Sequence, residues 1–118
     1  MSAQSRPVLT LTRQAAGAVQ KRRYVGVNNL QATVAGQAIL GVSRSDAALG
    51  ADMPVDVIGT TIIETGAAVP EGPVMADAQG RAIAFTGAVG THRGGIALEA
   101  STGAGEFIEV LIERGETQ

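Results

Sequence analysis

His92, in "GTHRGG", is the one histidine of the chain, so any imidazole chemistry must run through it. A hydrolytic triad needs a nucleophile bonded to a base that a third group orients. The serines available are Ser2, Ser5, Ser43, Ser45 and Ser101, and none stands in a G-x-S-x-G elbow. Glycines around His92 place it in a mobile loop, a poor support for a general base. The absence of cysteine removes thiolate nucleophiles, disulfides and thiolate-held metals. Carboxylates are then the remaining metal ligands, but Asp46, Asp52 and Asp56 are not spaced as a calcium loop. Asp77 with Gly80 reads as turn chemistry. "GAGE" and "HRGG" lack the G-x-x-x-x-G-K-[ST] pattern of a phosphate cradle, and the single lysine, Lys21, is far from both. The inventory points to no catalytic centre, no metal and no cofactor.

What remains is surface chemistry. "QKRRY" sets Lys21, Arg22 and Arg23 beside Tyr24, three cations next to one stacking ring. A sequence-tolerant binder of single strands wants several such rings along a groove. "FIEVLIE" offers a different pattern. Ile108, Val110 and Ile112 share one face of a strand, while Phe107, Glu109, Leu111 and Glu113 share the other. The all-aliphatic face belongs to the core. The mixed face suits contact with a partner that has a polar rim. "AAVPEGPVMADAQGRAI" has the cadence of a lipoyl- or biotin-carrier barrel, but its hairpin tip, Asp77 to Gly80, lacks the lysine that carriers modify.

These segments must be positioned by strands. Short apolar runs recur between turn signals: "VLTLT", "RYVGV" before Asn28-Asn29, "QAILGVS", "DMPVDVIGTTIIET", "GPVMA", then "DAQG" and "RAIAF". "RQAAGAVQKR" (13–22) and "SRSDAALGA" (43–51) hint at helix, but Gly17 interrupts the first and Gly50 stops the second. Both read as turns or a single helical turn. The expectation is an all-β fold, a small barrel- or sandwich-like single domain over residues 8–118, with residues 1–7 as a flexible amino-terminal arm. Ile39, Val42, Val55 and Val57 join the β-face aliphatics in the expected core, and Ile58 lies opposite it.

The core material is light, since aromatic residues make up 3% of the chain and glycine occurs sixteen times. A domain with so little to bury gains stability from partners. Residues 1–44 carry six cations (Arg6, Arg13, Lys21, Arg22, Arg23, Arg44) and no acid, whereas all eleven acids lie beyond them with three arginines. Such segregation favours head-to-tail contact between copies or docking on an acidic surface. The amino terminus has no signal-peptide core, and no apolar run approaches ~18 residues. The expectation is a soluble chain made in a cytoplasm.

The order of "LTRQAAGAVQKRRYVGV", "GVSRSDAALGADMPVDVIG", "ETGAAVPEGPVMADAQGRAI" and "GIALEASTGAGEFIEVLI" resembles the capsid cement (head decoration) proteins of tailed phages, over about residues 9 to 113. The resemblance implies a β-barrel-like fold and homotrimers clipped to the outside of an icosahedral head, bound to the major capsid protein where capsomers meet. It implies the virion surface as location after assembly in the host cytoplasm, with no catalysis, cofactor or membrane. Patterning adds the candidate contacts Arg6, Arg13, Lys21, Arg22, Arg23, Ile58, Phe107 and Leu111. The alternative is a small nucleic-acid-binding barrel that uses Lys21 to Tyr24.

Overall fold

The computed structural model describes residues 5–116, and among them there are eight strands and no helix. In chain order they are β1 (Arg6–Gln14), β2 (Tyr24–Val25), β3 (Gly41–Ser43), β4 (Asp52–Glu64), β5 (Gly72–Ala76), β6 (Ala82–Ala84), β7 (His92–Ala97) and β8 (Phe107–Glu116). All pairings between them are antiparallel, in the order β2-β3-β4-β8-β7-β5-β6, with β1 also on β4. The two ends of this order approach each other. The Tyr24 N–H donates to the Gly80 carbonyl at 2.7 Å, and Thr65 bridges to Ala82. The result is the expected all-β fold, a nearly closed barrel-like sheet. The "DAQG" turn also forms: Asp77 Oδ1 accepts the N–H groups of Gln79 and Arg81, both at 2.8 Å.

Of the segment expected as an arm, residues 1–4 lie outside the described residues, and Arg6 and Pro7 are the first two positions of β1. The two stretches with helical hints form no helix. They hold each other through a bridge between Val19 and Ala47.

β4 is the spine, because β1, β3 and β8 all pair with it. Thr60 has partners on both sides, Arg6 of β1 and Leu111 of β8. Its apolar residues serve two cores. Met53, Val55 and Val57 pack with Ala15, Val19, Val25 and Ala47, while Ile63 packs with Tyr24, Val42, Ile108 and Val110. Between them the inward face changes. Asp56 and Thr61 differ in strand parity, yet the Thr61 hydroxyl donates to Asp56 Oδ2 at 2.7 Å. Gly59 sits at this switch with φ 103°, a left-handed conformation that strains any other residue. A Cβ there would also lie 2.6 Å from the Arg6 carbonyl oxygen.

Ile108, Val110, Ile112, Val55, Val57, Ile39 and Val42 are all buried, as the period-2 pattern requires. Tyr24 is fully buried, with its ring over Gly94, where any β-carbon would intrude on it. Burial pushes the Tyr24 hydroxyl pKa up. The charge segregation of the sequence is partly resolved inside the protomer, since Arg23 pairs with Glu64 at 3.1 Å and Arg44 with Asp56 at 2.9 Å. Asp56 is wholly buried and also accepts from the Thr10 hydroxyl at 2.8 Å. His92 corrects the expectation of a mobile loop. It opens β7, and its N–H donates to the Gly36 carbonyl at 2.7 Å.

Candidate functional site

Of the polar side chains singled out for chemistry, Ser43, Ser101, Asp46 and Asp56 are engaged in holding the fold. Ser43 is buried and donates to the Gln20 carbonyl at 2.6 Å, and Ser101 donates to the Ala67 carbonyl at 3.1 Å. Asp46 Oδ1 accepts the Lys21 N–H at 2.8 Å. Among the described residues no three His, Asp or Glu side chains gather as a metal site.

The outer face of β8 is where apolar surface meets water. Phe107 is 52% exposed and Leu111 39%. Register builds rows around them, because directly paired residues point to the same face. Phe107 lies opposite Glu64, and Glu109 opposite Ile62. Leu111 is flanked by Thr60 of β4 and Ile96 of β7, and Ile96 is flanked in turn by Pro73 of β5. The exposed Leu98 follows β7 and donates its N–H to the Glu109 carbonyl at 3.0 Å. Ile58, 45% exposed, pairs with the exposed Leu9 of β1 beyond the Gly59 switch.

Charge borders this surface on its outer side. Glu113 pairs with Arg93 at 2.7 Å, and the Arg93 guanidinium sits 5.7 Å from the centre of the Phe85 ring. The turn that launches β8 is tied by Glu106, whose carboxylate accepts from the hydroxyl and backbone N–H of Thr102. Those bonds hold the Glu106 pKa below the usual carboxylate range. They fix where Phe107 enters the strand.

The cationic candidates do not join this surface as one set. Arg6 opposes Thr60 in the Leu111 row. Arg13 donates through Nε to Asn29 Oδ1 at 2.9 Å, and Lys21 is exposed beside Asp46, both toward the opposite end of β4. Arg22 is partly buried at φ 61°. Arg23 is bound to Glu64 and to the Gln79 carbonyl, at 3.1 and 2.8 Å. This overturns the reading of Lys21 to Tyr24 as a nucleic-acid platform: the ring meant to stack is inside the barrel, and one of the three cations is neutralised. The exposed Val27, Leu30 and Leu49 escaped sequence reading, since they lie on turns where alternation carries no signal.

An all-β barrel with an apolar, acid-bordered outer face is the setting for the comparison with known proteins. Residues 3–112 match the family described as phage cement protein. The chain belongs to that family. It is a family of head-associated structural proteins, which places this member with the phage capsid. The barrel is also similar to the head fiber gp8.5 N base of bacteriophage phi29, with a TM-score of 0.68 at 16% sequence identity. That match covers 93% of this chain and 98% of the phi29 chain, and at such identity it is a likeness of fold. No curated protein matches the chain.

Proposed function

We propose that this cement protein binds the outer surface of a tailed-phage head as a homotrimer and stabilises the shell by bridging neighbouring capsomers of the major capsid protein. The role is structural, without catalysis or cofactor, and assembly takes place in the host cytoplasm. The observation that carries the reading is the outer face of β8, where Phe107 and Leu111 stand exposed between Ile62, Ile96 and Leu98. An exposed apolar patch with a polar border is the composition of a protein interface, and another copy is its occupant here.

Bridging needs no single strong contact. Once one subunit of a trimer is seated, the next contacts are intramolecular, and linked sites exceed single-site affinity by roughly 10² to 10⁴-fold. Binding the assembled shell alone also stabilises it by mass action, by ~2.7 kcal/mol per site at a hundredfold excess over Kd. The residues ahead of β1 add a further contact with the shell.

The test is to heat genome-filled particles with and without the protein and follow DNA release. Release at a higher temperature with the protein bound supports the reading. Equal release temperatures at full occupancy refute it.

A further inference from the structure

The alanine-rich segments that hinted at helix meet at one end of the barrel. The Ala15 N–H donates to the Ala51 carbonyl at 2.9 Å, the Gly50 N–H to the Ala15 carbonyl at 2.8 Å, and the Ala16 N–H to the Asn29 carbonyl at 3.1 Å. These bonds gather residues 15–18, 27–30 and 48–51 into one surface. Their sequences, "AAGA", "VNNL" and "ALGA", hold no charged side chain. The turns nevertheless present large apolar groups to water: Val27 is 65% exposed, Leu49 74% and Leu30 37%.

Two cations and two acids border these segments, Arg13, Lys21, Asp46 and Asp52. An uncharged apolar centre inside a rim of mixed charge is the anatomy of a docking patch. The tips are also held in place. Asn28 Oδ1 accepts the Leu30 N–H at 3.2 Å, Asn29 is left-handed at φ 64°, and its side chain is tied to Arg13. A partner meeting ordered turns loses little conformational entropy to binding.

We propose that this loop end is the surface that seats the protein on the head, against an uncharged, apolar region of the outer shell protein. The inference rests on the cement reading above and divides its two contacts between two places. β4 starts at Asp52, beside the loop end, and finishes at Glu64, opposite Phe107. The two apolar surfaces therefore lie toward opposite ends of one strand and can be occupied together. Charge separates their partners. The β8 face carries Glu109 and the ion pair of Glu113 with Arg93, so an uncharged loop end of another copy is a poor match for it. Loop ends paired with each other would join trimers face to face and leave neither free for the shell.

The experiment uses the full chain and heads of the parent particle stripped of this protein. Val27→Asp and Leu49→Asp, singly and together, alter exposed tips, and circular dichroism checks that the sheet is retained. Leu49→Ser is a milder variant should the charged ones fold poorly. The double variant should bind stripped heads at least ~10-fold more weakly, with the sedimentation mass of the free protein unchanged. Wild-type binding should change by less than about threefold between low and high salt, because the patch is neutral. Head binding within twofold of wild type, or loss of self-association in its place, overturns the proposal. The second outcome would assign the loop end to contact between copies. Wild-type protein that fails to bind the heads refutes the cement reading itself, and the loop-end assignment with it.

Discussion

The outer face of β8 and the loop end both leave large apolar side chains in water, for different physical reasons. On β8 the cause is alternation: a strand that buries Ile108, Val110 and Ile112 must turn Phe107, Glu109 and Leu111 outward. At the loop end no alternation forces exposure. Val27 and Leu49 stand on turns, where polar residues cost nothing, and the tip segments 15–18, 27–30 and 48–51 carry no charge inside their charged border. An exposed apolar group on a strand can be a by-product of the core behind it. A cluster of them on ordered turns has no such structural excuse.

The comparison breaks most sharply within β8 itself. Ile108→Ala should destabilise the protomer by about 2–5 kcal/mol, read as a drop in thermal midpoint. Phe107→Ala should leave that midpoint nearly unchanged and weaken self-association roughly thirtyfold, as loss of a ~2 kcal/mol anchor does. If the Phe107 variant lost its β signal outright, the outer face would be part of the core. Arg44→Met tests a region that belongs to neither surface. It leaves the buried Asp56 without its cation and should cost about 3 kcal/mol of protomer stability, with head binding by the folded fraction unaltered. Deleting Ser2 to Gln4, which spares the bond from Arg44 to Ser5, should lower head affinity a few-fold without changing the thermal midpoint. Unchanged affinity would remove the arm from the mechanism.

The smallest effect belongs to Glu106. Its pKa is lowered in the folded protein by the Thr102 bonds, so its contribution is present above the ordinary carboxylate pKa and fades as pH falls through the lowered value. Glu106→Gln should slightly flatten the acid side of the stability profile. A change at neutral pH as large as that of Ile108→Ala would contradict its partly exposed position.

What the sequence made legible follows from the same physics. "FIEVLIE" declared its inner and outer faces because one side of β8 meets the core and the other meets water. "DAQG" declared its turn because Asp77 bonds its own following backbone. Arg23 stands among the candidate contacts in the sequence because its partners Glu64 and Gln79 are distant along the chain. His92 was read as loop because glycine there suggested mobility. Gly94 is required for another reason: it lets β7 pass under the Tyr24 ring. The face change at Gly59 is silent in "VIGTTI", where apolar and β-branched residues fit either side. The loop end was hidden by composition, since alanine-rich stretches suggest helix until their termini are seen bonded to one another.

β8 follows both of its pairing partners, β4 and β7, in the chain. Until Phe107 to Glu116 has been made, Ile63 of β4 lacks Ile108 and Val110, although Met53, Val55 and Val57 already have Ala15, Val19, Val25 and Ala47 to pack with. The pairing of β1 with β4 likewise joins residues far apart in sequence. Long-range pairings of this kind slow folding, because the loops must close before the contacts that reward them can form. Synthesis therefore leaves the core around Ile63 open until β8 is made. A chain released at Gly105 should be digested, fastest in β5 to β7, by a protease that leaves the chain with β8 intact. The order of strands thus makes β8 the closing piece, because the barrel shuts only when Phe107 to Glu116 joins strands made before it.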